Sequence, residues 1–401
     1  MRNIIHHIIK SEAVTRPALA SAMGVSTGTI TNIVNELIDN GVVYEGHAEN
    51  VLRGRKAKYL HFNSKLRYIV TVNIPDSSPL TISICDLLGN VLAQADADVD
   101  LHLTERNPDH FIVRGLVTAV ADFISVQSQD IRDKLSVTAL SVPGILNKNQ
   151  TLYVPHFGWH NLPLEKPLQA AVGMPVYFQN VTRAEAIYEM RYVDKCDKNI
   201  IYLTVSPGLG IAHFYDGRLI QGKSGMSGEA GHMTMKTDGE LCFCGNSGCA
   251  ELYCSGGALL KKGANLLSGN RDDILCDIID KSGGALTIEH MFTAMHAGSI
   301  KVHMLFAEYA RNLGTFLANI INCFDPDKII TNRELFEYDD FIYNMALEEA
   351  RSRIVNRFAR DVPITLGRLK ASEPEKAICA SVLDIVLDMI LNKTVSADPK
   401  I

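Results

Sequence analysis

Between residues 27 and 39 the apolar side chains recur at Ile30, Ile33, Val34, Leu37 and Ile38. That spacing (i, i+3, i+4, i+7, i+8) predicts one helix with a single buried stripe. Ser26 is placed to cap its start, and Asn40-Gly41 to stop it. Upstream, Thr15 caps a second predicted helix that runs to about Met23, with Pro17 tolerated in the first turn and Gly24 ending it. Residues 2–10 carry a shorter helical pattern. Two helices joined at Gly24-Val25 make a helix-turn-helix. Val42–Glu45 and Ala57–Phe62 then read as strands flanking Arg53-Gly54-Arg55-Lys56, a β-ribbon with a cationic tip, which is the form of a wing.

From Tyr68 the pattern changes to strands at Tyr68–Ile74, Leu80–Cys85 and Val91–Ala95. A helical stretch, Pro108–Val126, leads to a strand at Ser136–Val142. A second set follows at Ile200–Val205, Ile211–Tyr215 and Arg218–Gln221, with long helices at about Lys301–Cys323 and Asp339–Phe358. Strands followed by alternating helix and strand predict an α/β body with mixed sheets. The element pattern repeats while the sequence does not. This divides the chain into a head (1–67), a first lobe (68–190) and a second lobe (191–401). The longest apolar stretch, Ala377–Leu391, is cut by Asp384 and Asp388. It falls short of the roughly 18 uninterrupted apolar residues of a membrane span and reads as an amphipathic helix.

At 401 residues the chain is too long for one core. Its formal net charge of −6 argues against a molecule that coats nucleic acid. The head differs from the average: nine basic and five acidic side chains give it +4, leaving −10 on the body. In a helix-turn-helix the second helix enters the major groove. Thr27, Thr29, Thr31 and Asn32, with Asn35 one turn on, are then the base- or phosphate-contacting residues. Arg53, Arg55 and Lys56 suit a phosphate track or narrow minor groove. The apolar run Ile4–Ile9 is too short for a signal-peptide core. Nine cysteines lack the density of a disulfide scaffold, which predicts a reducing cytoplasm. Cys85, Cys196, Cys276, Cys323 and Cys379 read as isolated small core residues.

The most specific chemistry lies in Gly228-Glu229-Ala230-Gly231-His232 and in Cys242-x-Cys244-x4-Cys249, followed by Glu251. One imidazole and three thiols suit a tetrahedral Zn²⁺ site, and four protein ligands leave no open position. One structural zinc per chain on His232, Cys242, Cys244 and Cys249 is expected, with Cys254 a nearby substitute. Pro207-Gly208-Leu209-Gly210, between two strands, is by itself weak evidence of an anion-binding loop.

At these motifs the chain resembles the ROK family (repressors, open reading frames and sugar kinases), over essentially its full length. The basic head resembles the repressor branch, the xylose-repressor and NagC type. The resemblance implies a two-lobed, actin-like, hexokinase/ribonuclease H-type α/β body preceded by a winged helix-turn-helix, with a sugar in the cleft between the lobes. It assigns sugar contacts to Gly144, Asn180, Glu229, His232 and Glu251, His232 serving the metal as well. The departures fall on kinase chemistry. Val181 stands where the general-base Asp should follow Asn180. Asn73-Ile74-Pro75-Asp76-Ser77, Ser206-Pro207-Gly208-Leu209-Gly210 and Asn332-Arg333-Glu334 replace three glycine-rich nucleotide segments. The expectation is a kinase-inactive, sugar- or sugar-phosphate-responsive regulator that binds operator DNA as a homodimer or tetramer, without membrane insertion. Arg183 and His156 are candidate phosphate partners. An active sugar kinase and a regulator controlled by a protein partner are the rival readings.

Overall fold

The computed structural model describes residues 1–47, 58–74, 79–146, 152–154, 157–193, 197–268, 271–356 and 361–391. The chain forms two compact units. The first comprises residues 1–144, 150–193 and 374–401; the second comprises 145–149 and 194–373.

Each unit is built on a five-stranded sheet with the same strand plan. In the first, Val176–Asn180 and Leu135–Val142 run parallel to Tyr68–Asn73, which pairs antiparallel with Leu80–Asp86 and through it with Val91–Ala97. In the second, Ile364–Leu366 and Lys328–Thr331 run parallel to Ile200–Val205, which pairs antiparallel with Leu209–Tyr215 and then Arg218–Leu219. The middle strands, Tyr68–Asn73 and Ile200–Val205, are largely apolar and buried on both faces, as expected where helices cover a sheet. In the second unit the Ile300–Phe324 helix buries Phe306, Tyr309, Leu313, Phe316 and Leu317 in a core with Ile201, Leu203 and Ile329.

The helices and the two ribbon strands predicted for the head are present. Thr15 and Ser26 accept the Ala18 and Thr29 N–H groups at the starts of the Arg16–Met23 and Thr27–Asp39 helices. Gly24 adopts φ 66°, and Val43–His47 pairs antiparallel with Lys58–Phe62. Ile30, Val34 and Leu37 are buried as the stripe requires. The wing tip, with Arg53, Arg55 and Lys56, lies outside the described residues.

The C-terminal helix departs from expectation. Pro374–Ile390, assigned by sequence to the 191–401 lobe as an amphipathic helix, packs in the first unit and is buried on nearly every face. Ile378, Val382, Leu383 and Val386 share one core with Ile4, Ile5 and Ile8 of the head and Ile69 and Val137 of the sheet. Asp384 and Asp388 face the first helix, Arg2–Ser11. Arg2 donates two hydrogen bonds to Asp388 and forms a 3.9 Å ion pair with Asp384, and the His6 ring lies 2.8 Å from Asp384. Head and first lobe therefore share a hydrophobic core clasped by ion pairs. Two cysteine assignments also change. Cys323 is exposed, and Cys85 and Cys379 are neighbours in the core; Cys196 lies outside the described residues.

Burial opposes ionisation of Asp384, but the His6 contact and the Arg2 and Arg191 charges hold its carboxyl below the usual aspartate range. A carboxyl depressed in the folded state supplies stability above its unfolded value near 4, and loses it as pH falls through the folded value. Asp384→Asn should therefore lower unfolding stability at pH 7 by about 1–3 kcal/mol. In urea titrations the gap between wild type and variant should narrow as pH is lowered below about 4. A gap independent of pH contradicts the clasp.

Candidate functional sites

The second unit brings the predicted metal ligands together. The donor atoms of His232, Cys242, Cys244 and Cys249 all lie within 4.8 Å of one another. Cys242 Sγ is 3.7 Å from His232 Nδ1, and the Cys244 and Cys249 sulfurs are 3.6 Å apart. A tetrahedron with Zn–S bonds near 2.3 Å has edges of about 3.8 Å, so the donor set already has the dimensions of a Zn²⁺ shell. Glycines make this possible. A Cβ on Gly231 would lie 2.2 Å from the Leu209 carbonyl oxygen, and one on Gly248 (φ 69°) only 1.7 Å from that of Lys236. The chain can press against the Leu209–Tyr215 strand and double back beside Cys249 only without side chains there. Burial is the first cause that pushes the Cys242 thiol up, and it carries Cys249 to about 12, the neighbouring cysteines adding to it. Such thiols keep their protons unless a cation displaces them, which is the role of a bound metal.

The ring of His232 is used from both sides. With Nδ1 toward the thiols, Nε2 lies 4.0 Å from Glu229 Oε2. The 3₁₀ turn Ala230–His232 sets that spacing. Glu251, two residues past Cys249, opens a short helix, and its Oε2 accepts the Leu209 N–H at 3.0 Å. In the first unit the structure joins Asn180 and Gly144. Asn180 caps the Val181–Met190 helix by accepting the Arg183 N–H, and its Nδ2 donates to the Gly144 carbonyl at 2.9 Å. Val181 occupies the first helical position after that cap. Arg183 is buried, whereas His156 lies outside the described residues.

The Thr27–Asp39 helix carries no cation, and the structure sorts its polar residues. Thr31 Oγ1 donates to the Thr27 carbonyl, and the Thr29 hydroxyl pairs with Ser26. Arg16 donates to Asn35 Oδ1, to the Thr31 carbonyl and to Glu45. Thr27 and Asn32 stay exposed with no side-chain partner among the described residues. Among the described residues of the head, three further cations are likewise engaged: Arg2 with the C-terminal helix, Lys10 with the Tyr192 and Val193 carbonyls, and Lys58 with Glu45.

Sequence reasoning treated the altered glycine segments as losses. It missed the bonds that replace them: Ser206 Oγ donates to Glu334 at 2.6 Å, and Asn332 bonds Val205 and Ser206. The proline and the acidic residue were visible, but a contact spanning 128 positions leaves no local signal.

A twinned α/β plan with a His–Cys₃ cluster behind a glycine-bracketed Glu-Ala-Gly-His turn defines a ROK-type body. The chain belongs to the ROK family, whose model matches residues 81–383. It is 27% identical over 394 residues to the xylose repressor of Bacillus subtilis (strain 168), covering 96% of this chain and 95% of that one. The crystal structure of a ROK family transcriptional regulator, a homolog of E. coli MLC protein, matches with TM-score 0.71 and 25% identity over 94% of this chain and 95% of that one. A glucokinase of Streptomyces coelicolor (strain ATCC BAA-471 / A3(2) / M145) is 28% identical over 271 residues, 66% of this chain and 84% of its own. Among the described residues no helix is long and apolar enough to cross a membrane.

The candidate metal site has a direct test. Purified protein should carry about one zinc per chain, and Cys249→Ser should lose it together with thermal stability. Metal analysis that finds no zinc in wild type, or full zinc in the variant, contradicts the ligand set.

Proposed function

We propose that this chain is a DNA-binding transcriptional regulator, a repressor in its basal form, controlled by a sugar or sugar phosphate. The observation that carries this reading is coverage. Similarity to a named repressor extends over 96% of the chain, whereas similarity to the glucokinase extends over 66%. The helix pair and antiparallel ribbon of the head act as a winged helix-turn-helix. Glu229, His232 and Glu251 in one unit, and Asn180 and Gly144 in the other, contact the effector. A zinc ion on His232, Cys242, Cys244 and Cys249 fixes the ring of His232, leaving Nε2 to face a hydroxyl. The active form is a dimer that reads paired half-sites.

Two observations support the absence of kinase activity. Val181 can neither accept a proton nor hold the attacking hydroxyl. Two donors of the Ser206–Leu209 turn, the Ser206 hydroxyl and the Leu209 N–H, are given to carboxylates, whose charge opposes a nucleotide phosphate. The similarity to a glucokinase favours the enzyme reading, and an ATP-dependent turnover assay across a panel of hexoses and pentoses separates the two. The regulator shows no turnover; robust phosphorylation overturns this part of the reading.

The head divides its work between phosphate and base contacts. With Arg2, Lys10, Arg16 and Lys58 engaged internally, phosphate attraction falls to the wing together with Lys65 and Arg67. Arg53→Ala with Arg55→Ala should weaken binding to all DNA sequences and flatten the log–log salt dependence by about 1.8, two phosphate contacts at roughly 0.9 each. Asn32→Ala should instead erase preference at one base pair, at a cost of about 1–3 kcal/mol, while Asn35→Ala leaves the preference intact. Selection from a random DNA pool, followed by binding titrations over salt, reads both effects. A wild-type salt slope in the wing variant removes the assignment.

A further inference from the structure

Within the second unit, the turn that replaces a nucleotide loop is held from three sides. Asn332 is buried and clamps the end of the preceding strand: Val205 N–H donates to its Oδ1 at 2.8 Å, and its Nδ2 donates to the Val205 carbonyl and to Ser206 Oγ, the latter at 3.1 Å. The Gly256 N–H donates to the Ser206 carbonyl at 2.7 Å and that of Gly257 to the Pro207 carbonyl at 3.3 Å, so the N-terminus of the Gly256–Ala264 helix is spent on the turn. The third hold is Glu334. Because Ser206 Oγ already accepts from Asn332, its one proton goes to Glu334 Oε2 at 2.6 Å, which fixes the polarity of the relay. On the far side of the turn, Leu209 N–H donates to Glu251 Oε2 at 3.0 Å.

We propose that Glu334 is a positioning residue for effector binding. Through Ser206 it fixes the turn whose Leu209 N–H orients the Glu251 carboxylate toward the sugar. This rests on the reading that Glu251 contacts the effector. One oxygen of Glu251 accepts the Leu209 N–H, so a displacement of Leu209 turns the carboxylate. A segment that would cradle phosphate in a kinase here serves as a bracket for a sugar-binding side chain. The chemistry selected for is the hydroxyl of a neutral or phosphorylated sugar, which a carboxylate accepts strongly. Loosening the bracket is expected to act on binding through Glu251.

The test uses the full-length protein and has two arms. In the first, amide exchange read by mass spectrometry on the segment containing Leu209 is compared among wild type, Glu334→Ala, Ser206→Ala and Glu334→Gln. Exchange should rise in the first two variants and stay at wild-type level in Glu334→Gln, whose amide oxygen still accepts the Ser206 proton. In the second arm, D-xylose, D-glucose and N-acetylglucosamine, each free and phosphorylated, are titrated calorimetrically. Glu334→Ala should weaken the sugar that binds by about five- to tenfold, and Glu334→Gln should restore it. In a Glu251→Ala background, Glu334→Ala should add nothing further, since both act through one carboxylate. Unchanged exchange at Leu209, or additive losses in the double variant, overturns the proposal. If none of the sugars binds, the effector reading fails, and the exchange arm alone then decides whether Glu334 holds the turn.

Discussion

The imidazole of His232 has two nitrogens, and the second unit is arranged around giving each a different partner. Nδ1 faces Cys242 Sγ at 3.7 Å while Nε2 faces Glu229 at 4.0 Å. A metal ion held by the three thiols and Nδ1 would stop the ring from flipping, so that its other nitrogen would keep one direction and one tautomer. The glycines at 228, 231 and 248 follow from the same demand. They let the backbone come close enough to the sheet and to itself to deliver four soft ligands to one point. Glu251, two residues past the last cysteine, inherits its place from that cluster.

What the fold does with the remaining parts follows from charge. A kinase on this plan needs open backbone donors around the phosphates and a carboxylate beside the acceptor hydroxyl. This chain inverts both features: Val181 removes the carboxylate, and Glu334 and Glu251 bring carboxylates to the turn. In the second unit the Ser206–Leu209 turn, which a kinase of this plan would open to a nucleotide, is paired with the protein's own side chains. On the proposed regulator reading, binding energy has no chemical step to drive and is available for a shift between conformations, bounded by the ligand's differential affinity for them. The head is tied into this economy, because its apolar stripe is continuous with the core of the first sheet and the C-terminal helix.

Much of this was legible in the sequence where the signal is local. Helix caps at Thr15 and Ser26, the stripe from Ile30 to Ile38, the two sets of strands and the cysteine spacing each depend on neighbours within a turn or two. The residues read less well are those whose partners lie far along the chain. Asp384 and Asp388 look solvent-facing in a helix otherwise apolar, and only the first helix, more than 370 positions away, shows what they pair with. Cys85 and Cys379 look isolated for the same reason. Among the polar residues of the Thr27–Asp39 helix, sequence makes Thr29, Thr31 and Asn32 equivalent. The internal bonds of Thr29 and Thr31 separate them from Asn32.

The measurement that bears most directly on the account is binding of the full-length, zinc-loaded protein to DNA from its own upstream region, titrated with sugars in the absence of ATP. The account predicts sequence-specific binding that a single sugar or sugar phosphate reverses at saturation, with no nucleotide requirement. DNA binding that no sugar alters, or a sugar response that appears only with ATP turnover, would contradict it.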